Sequence, residues 1–592
     1  MVNTTIFVAA LGVFVAITLF LGWYGYKHTK NQDQFMLGKN KSNPMLIGLA
    51  YGASFLSASA IVGFGGMAAK YGMMMMWLVF LNLFVGLVIA FIVFGKRTRR
   101  LNTELGALTF ADFLGKRFRS SFIRTLTAVI VLVGMPIYCA AVLVGGVNFL
   151  TESGLGLNKD LAILALSVVV LLYVAYGGII AVMYNDALQA AIMFAGMLSI
   201  LLVTYFVLGE TYGGISGIHQ GLTDLWSTAG VPGKGNMEGM VGWTKFPELG
   251  SNAWIYAVST LLMGVGIGAL AQPQLAARFM TAKDTKTLNR SLLIGGIFMI
   301  VIVGSAYTVG ALTNLYYGES SVARIGNIDK IIPTFVNDIF GTMGGWGELF
   351  IIVFILAILC AAISTMCVLL HTMGAAAGYD LWSEAEKKIK RKTDSNKPSL
   401  RRTRISTVIM MVVVIVVAYM MPPNIIAKAT SIFMGLTAAA LLPAFAHAVF
   451  SKNPRTGAAK VSMAIGSVIW LLWALFINES IGLIIGTGPV VTGKIIYVDP
   501  LIIALPISSM IMLIGCYIKP KDKASENSGL IQSSDTKQIA AAADAEPQPY
   551  VPEEFSRYQM VWPGADVKIW SRPKRGSDKK FGNNWPEHLM KL

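Results

Sequence analysis

Long apolar runs separated by short polar connections fill the chain from residue 4 to residue 518. A hydrocarbon core of about 30 Å is crossed by about 20 residues of apolar helix. That length divides the chain into thirteen expected spans, near 4–26, 45–69, 73–95, 122–150, 160–179, 184–209, 252–276, 291–315, 348–378, 404–421, 425–450, 460–477 and 499–518. The ninth is long enough to protrude or bend. From Lys519 onward the apolar runs stop and the chain turns polar, Ala/Ser-rich and then Pro/aromatic.

The polar connections carry an asymmetry. Taking alternate loops, one set holds 28 Lys and Arg and the other about 8, with 12 more in the tail. Positive charge accumulates on the cytoplasmic side, so the N-terminus is expected outside and the C-terminus inside. The first segment lacks a positive n-region and is followed by Lys27 and Lys30, so it is read as a span rather than a cleaved signal peptide. On this count no basic residue is hidden within a span.

Composition narrows the class. Of 592 residues, 55% are hydrophobic and only 13% charged, against about 25% charged in soluble domains. The net charge of +17 sits in loops, where topology accounts for it, so no nucleic-acid partner is expected. Cys139, Cys360, Cys367 and Cys516 all fall in apolar segments without metal-ligand spacing. No phosphate-cradling loop or nucleophile–base arrangement is present, which argues against an enzyme and against ATP-driven transport. His371 and His447 are expected to be hydrogen-bonded packing residues. The "MMMM" run at 73–76, with Trp77, Phe80 and Phe84, reads as lipid-facing or interfacial.

Two spans are interrupted by glycine and small residues: the second, "GLAYGASFLSASAIVGFGG", and the seventh, "LLMGVGIGALAQPQLAARFM". Either alone reads as close packing through a small-residue face. Lying five segments apart, they match the broken first helices of two inverted repeats, whose free backbone groups line midplane sites. In the ninth span "CAAISTMCVLL" places Ser364 and Thr365 together one turn after Ala361. A lone hydroxyl pair commonly back-bonds to its own helix. Together with the carbonyls of Ala53, Leu56 and Ala361, however, the two hydroxyls make five uncharged oxygens, a set suited to sodium.

The chain resembles the sodium:solute symporter family over roughly residues 1–518. The likeness rests on "GASFLSAS", "TFADFLGKRF", "YVAYGGIIAVMYNDALQAAIM", "QPQLAARFMTAKDTK" and "AAISTM". It implies an all-α integral membrane protein with the leucine-transporter-type 5+5 inverted repeat and about 13 transmembrane helices. The organisation would be a first helix and cytoplasmic loop (1–43), a first repeat (44–210), an extracellular loop (211–251), a second repeat (252–450), two further helices (451–518) and a partly disordered cytoplasmic tail (519–592). By motif, Ala53, Leu56, Ala361, Ser364 and Thr365 fall on the family's sodium-site positions. Asp186, which the residues alone also allow as an interfacial helix cap, becomes part of the sodium exit path. With no Lys or Arg expected inside the bundle, nothing replaces the charge of Na+, and sodium coupling is expected over proton coupling.

Substrate is expected beside the breaks, facing Ser54, Phe55, Ser57, Ser59, Asn82, Tyr138, Val265, Ala269 and Gln272. The family's proline carriers have an aspartate where this chain has Phe55, and aromatic residues at Val265 and Ala269, which weighs against proline. Sugar and sialic-acid recognition lack their carboxylates, amides and arginine. A small organic anion remains, similar to the pantothenate and monocarboxylate branches, imported across the plasma membrane by alternating access. An amino acid or other neutral solute is the alternative within transport. The rival from another class is a membrane sensor or anchor whose tail binds a protein partner.

Overall fold

The computed structural model describes residues 4–38, 43–152, 156–229, 237–390, 399–479 and 489–518, with the backbone alone at 387–390. The expected tail beyond Lys519 lies outside the described residues, as does the centre of the basic 387–404 loop. Helices make up nearly all the regular structure of the unit Met1–Ile518. Several begin at side-chain caps: Asn43, Thr109, Asn158, Ser251 and Asp499 each accept a backbone N–H of the first turn. Asp284 does the same for Thr285–Tyr317, and the Thr287 N–H it accepts at 2.6 Å holds its carboxyl below the usual carboxylate range.

Among the described residues eleven helical runs are long and apolar enough to cross a membrane, against thirteen expected. The difference lies in two runs that each take up two expected spans, Ser59–Leu105 and Lys159–Tyr212. A straight helix of 54 residues would be about 80 Å long at 1.5 Å per residue, far more than a bilayer accommodates. The chain therefore turns inside it, at Gly178 (φ 60°, ψ −159°). The corresponding turn in Ser59–Leu105 falls at Gly72 (φ 73°). Both torsions are open to glycine and strained for other residues. Because the turns keep nearly continuous helical hydrogen bonding, they carry no polar connection for hydropathy to detect.

Gly345–Ala375 forms the centre of the bundle, with nearly every residue from Phe354 to Leu370 buried. It packs on Lys159–Tyr212 and Ser121–Glu152. Small residues set the spacing: a Cβ on Gly146 would meet the Ala362 Cβ at 2.8 Å. Thr4–His28 lies at the periphery and meets Lys159–Tyr212 along Gly22 and Gly25. Such contacts supply van der Waals packing where lipid leaves little hydrophobic driving force between helices.

The methionine run divides. Trp77, Phe80 and Phe84 are about half exposed, as expected, but Met74 and Met75 are buried. After the turn at Gly72 these two join the main core, while Met73 packs toward Trp243 and its N–H bonds the Trp243 carbonyl at 2.6 Å. His371 stacks on Phe35 and bonds its carbonyl at 3.0 Å. His447 accepts the Arg455 N–H at 2.9 Å.

Candidate functional site

Both expected breaks are present, each with a local cause. Pro44–Phe55 ends at Leu56, whose torsions are extended (φ −99°, ψ 98°). Ser57 then starts the next helix, its carbonyl and hydroxyl accepting the Ala60 N–H at 2.9 and 3.3 Å. In the seventh segment Gln272 is extended (φ −72°, ψ 117°) and Pro273 opens the helix Pro273–Met280. A residue before proline is driven out of the helical region, so the Gln-Pro pair writes this break directly.

At the first break the last carbonyls of Pro44–Phe55 have no following helical N–H to accept. The Ala53 carbonyl lies 3.0 Å from the Ser364 hydroxyl and 3.4 Å from that of Thr365. Ser364 Oγ is also 3.3 Å from the Ala361 carbonyl. Four of the five expected oxygen donors thus converge, all on fully buried residues. The fifth, Leu56, closes the same helix end, its N–H bonded to the Gly52 carbonyl at 2.9 Å.

A chain of hydroxyls continues from the break. Ser57 Oγ lies 2.6 Å from Ser59 Oγ, Thr430 donates to Ser59 at 2.8 Å, and Tyr138 lies beside Ser57. At the second break Gln272 donates to the Thr437 hydroxyl at 2.6 Å and the Gly268 carbonyl at 3.0 Å, and Gln274 donates to Gln272 at 3.1 Å. Thr430 and Thr437 escaped the sequence reading. Their spacing of seven residues, two turns on one face of Ile426–Phe450, was the available signal.

Of the remaining expected substrate residues, Phe55 and Ala269 share one wall: a Cβ on Gly86 would meet both, at 3.2 and 3.3 Å. Val265 is buried on the short helix Val265–Gly268, just before the second break. Asn82 is buried with no hydrogen-bond partner for its Oδ1 among the described residues, and no bond joins it to either break.

Asp186 departs most from expectation. It does not cap a helix at an interface: it is fully buried, and Arg278 Nη2 donates to its Oδ2 at 2.6 Å. Arg278 also donates to Ser54 Oγ at 3.0 Å. A basic residue therefore does lie inside the bundle. It was counted in a loop because it follows the Gln-Pro break by only a few residues, but the helix restarts there and carries it back into the packed interior. Asp380 and Asp499 are buried as well. Asp186 Oδ1 and the Nε and Nη1 of Arg278 have no hydrogen-bond partner among the described residues. Polar capacity left unused in a buried pair is costly.

The family model for the sodium:solute symporter family matches residues 35–466. The osmoregulated proline transporter OpuE of Bacillus subtilis is 26% identical over 473 residues, covering 79% of this chain and 88% of that transporter. The sodium/pantothenate symporter of Haemophilus influenzae is 25% identical over 334 residues, 55% of this chain and 64% of its own length. The solved structure of a substrate-bound, outward-open Na+-coupled sialic acid symporter aligns with a TM-score of 0.64 at 18% identity, covering 86% of this chain and 96% of that one. The fold is the leucine-transporter-type inverted repeat, and the chain is similar to sodium-coupled transporters of small solutes. By the span of the family match, which holds both broken helices and the Ser364–Thr365 cluster, this chain belongs to the sodium:solute symporter family.

Proposed function

We propose that the chain imports a small carboxylate-bearing solute with Na+ across the plasma membrane, its N-terminus outside and its tail in the cytoplasm. The observation that carries sodium coupling is the convergence of the Ala53 and Ala361 carbonyls with the Ser364 and Thr365 hydroxyls at the first break. Adjacent ligands roughly 2.4 Å from a small hard cation and about 90° apart lie roughly 3.4 Å from each other, close to these spacings. With Leu56 as fifth ligand, the ion would hold Pro44–Phe55 against Gly345–Ala375 and so preorganise the substrate site between the breaks. Release past Asp186 would loosen the inner side. Coupling is then a difference in ion affinity between two states of one bundle.

The substrate site is proposed at Ser54, Phe55, Ser57, Asn82, Tyr138, Val265, Ala269 and Gln272. Phe55 packing at Gly86 beside Ala269 supports a monocarboxylate, since this wall offers no carboxylate to an ammonium group. A second reading, proline, is favoured by relatives: OpuE is named a proline transporter, and a sodium/proline symporter of Staphylococcus saprophyticus is 27% identical over 482 residues.

Uptake into proteoliposomes tests both. Acetate, pyruvate, pantothenate, proline and glucose are offered under a sodium gradient, with a proton gradient as control. A monoanion moving with one Na+ is electroneutral, whereas a zwitterion moving with one Na+ carries charge worth about 2.3 kcal/mol per 100 mV. Imposed potential will therefore drive proline uptake and leave one-to-one pyruvate uptake unchanged. Failure of all five solutes to accumulate would sink the reading and raise that of a sensor whose tail binds a partner.

A further inference from the structure

A cavity of about 330 Å³ opens on the face proposed as extracellular, with Lys70, Tyr71, Tyr256, Lys428, Glu479 and Tyr497 among its lining residues. Tyr71 and Tyr256 stack with centroids 6.1 Å apart. The Lys70 ammonium lies 5.7 Å from the Tyr71 ring and that of Lys428 5.6 Å from the Tyr256 ring. Two cations thus flank one stacked pair of tyrosines.

Neither ammonium makes a hydrogen bond or a salt bridge among the described residues. Glu479 lines the same cavity and attracts both lysines. Asp329 also attracts Lys428, and its carboxylate faces the backbone of Asn424, Ile425 and Ile426. Within the cavity, then, two cations share one carboxylate, and a second carboxylate completes the set.

The cavity is lined by residues of the helices that lead away from the first break and from its partner Thr430. Lys428 precedes by two residues Thr430, whose hydroxyl bonds Ser59. Lys70 follows Ser59 by about 16 Å of helical rise. A solute held here is one step from the hydroxyl chain between the broken helices.

We propose that this cavity is a capture site for a small carboxylate, the anion held between the Lys70 and Lys428 ammoniums and its apolar body laid on Tyr497 at the edge of the Tyr71–Tyr256 stack. The volume falls within the range of small-ligand pockets. Paired cations in a low-dielectric recess also concentrate anions at its mouth. The role in transport rests on the reading of the chain as a carboxylate importer, but the anion site itself does not.

The test uses the full chain, reductively methylated with ¹³C at lysine and held in phosphatidylcholine nanodiscs, with the two signals assigned from K70R and K428R. Sodium pyruvate, proline and, at equal ionic strength, sodium chloride are titrated in. Saturable shifts of both signals with pyruvate but not chloride support the site, and the same shifts with proline extend it to amino acids. No saturable shift with either solute, or an equal shift with chloride, overturns it. In proteoliposomes, Lys70→Gln and Lys428→Gln should each raise KM about tenfold and leave kcat within twofold, and a fall in kcat alone overturns the capture role. Saturable shifts without any carboxylate uptake would overturn the importer reading and leave the site, whereas uptake without shifts would do the reverse.

Discussion

Arg278 and Asp186 meet at 2.6 Å with neither side chain reaching solvent, tying the helix after the second break to Lys159–Tyr212 and, through Ser54, to the end of the first broken helix. Removing one partner leaves the other as an uncompensated buried charge, which typically costs 3–5 kcal/mol. Arg278→Met is expected to lower the unfolding midpoint in detergent sharply. The double variant Arg278→Met/Asp186→Leu should recover most of that loss while remaining defective in sodium-driven uptake. Full uptake by the double variant would reduce the pair to a structural tie.

Gly178 sits at φ 60°, ψ −159°, a region essentially closed to other residues, and a Cβ there would approach Phe35 Cδ2 to 2.7 Å and the Phe35 carbonyl oxygen to 3.0 Å. Strain of this kind costs roughly 1–3 kcal/mol, and the clash adds to it. Gly213, also at positive φ (75°), has open space around its Cβ position. Gly178→Ala should therefore destabilise the protein by at least about 1 kcal/mol more than Gly213→Ala. Equal midpoints would show that the turn after Gly177 relaxes freely.

The same geometry explains what hydropathy could and could not reveal. The breaks were legible because Gln272-Pro273 and the serine-rich stretch after Leu56 carry their own local physics. The converging oxygens were legible because Ser364, Thr365 and Ala361 occupy one helical turn. The two merged runs were not, since a turn made by one glycine leaves the apolar pattern unbroken. Arg278 was missed for a related reason: charge in sequence reads as solvent exposure, and only the restart of the helix at Pro273 shows that it points inward. Lys70 and Lys428 belong to segments more than 350 residues apart, and nothing local in either pairs them.

Ser364 and Thr365 each place a hydroxyl within 3.0 to 3.4 Å of the Ala53 carbonyl. Replacing either by alanine removes one uncharged oxygen, and at Thr365 a methyl group with it. The expected outcome is a rise of about tenfold or more in the sodium concentration for half-maximal uptake, corresponding to roughly 1.4 kcal/mol. Solute affinity at saturating sodium should change less. A variant such as Ser364→Cys, which keeps the volume but offers sulfur, should behave like alanine, because a hard cation prefers oxygen. Unchanged sodium dependence in Ser364→Ala and Thr365→Ala together would remove this cluster from the coupling mechanism.

Phe55 provides the sharpest test of the solute class. Its ring and the Ala269 methyl converge on Gly86, giving an apolar wall beside the first break. A carboxylate introduced by Phe55→Asp would replace the ring of this apolar wall, and burial without a partner penalises the charged form strongly. An ammonium-bearing solute supplies that partner, whereas a simple monocarboxylate brings like charge to the same place. The ratio of proline to pyruvate uptake, measured as kcat/KM, should therefore rise by at least tenfold in Phe55→Asp, while Phe55→Leu should leave it within about threefold. If the wild-type chain already prefers proline and Phe55→Asp leaves the ratio unchanged, the amino group must be met elsewhere in the site, and Phe55 contributes shape rather than selectivity.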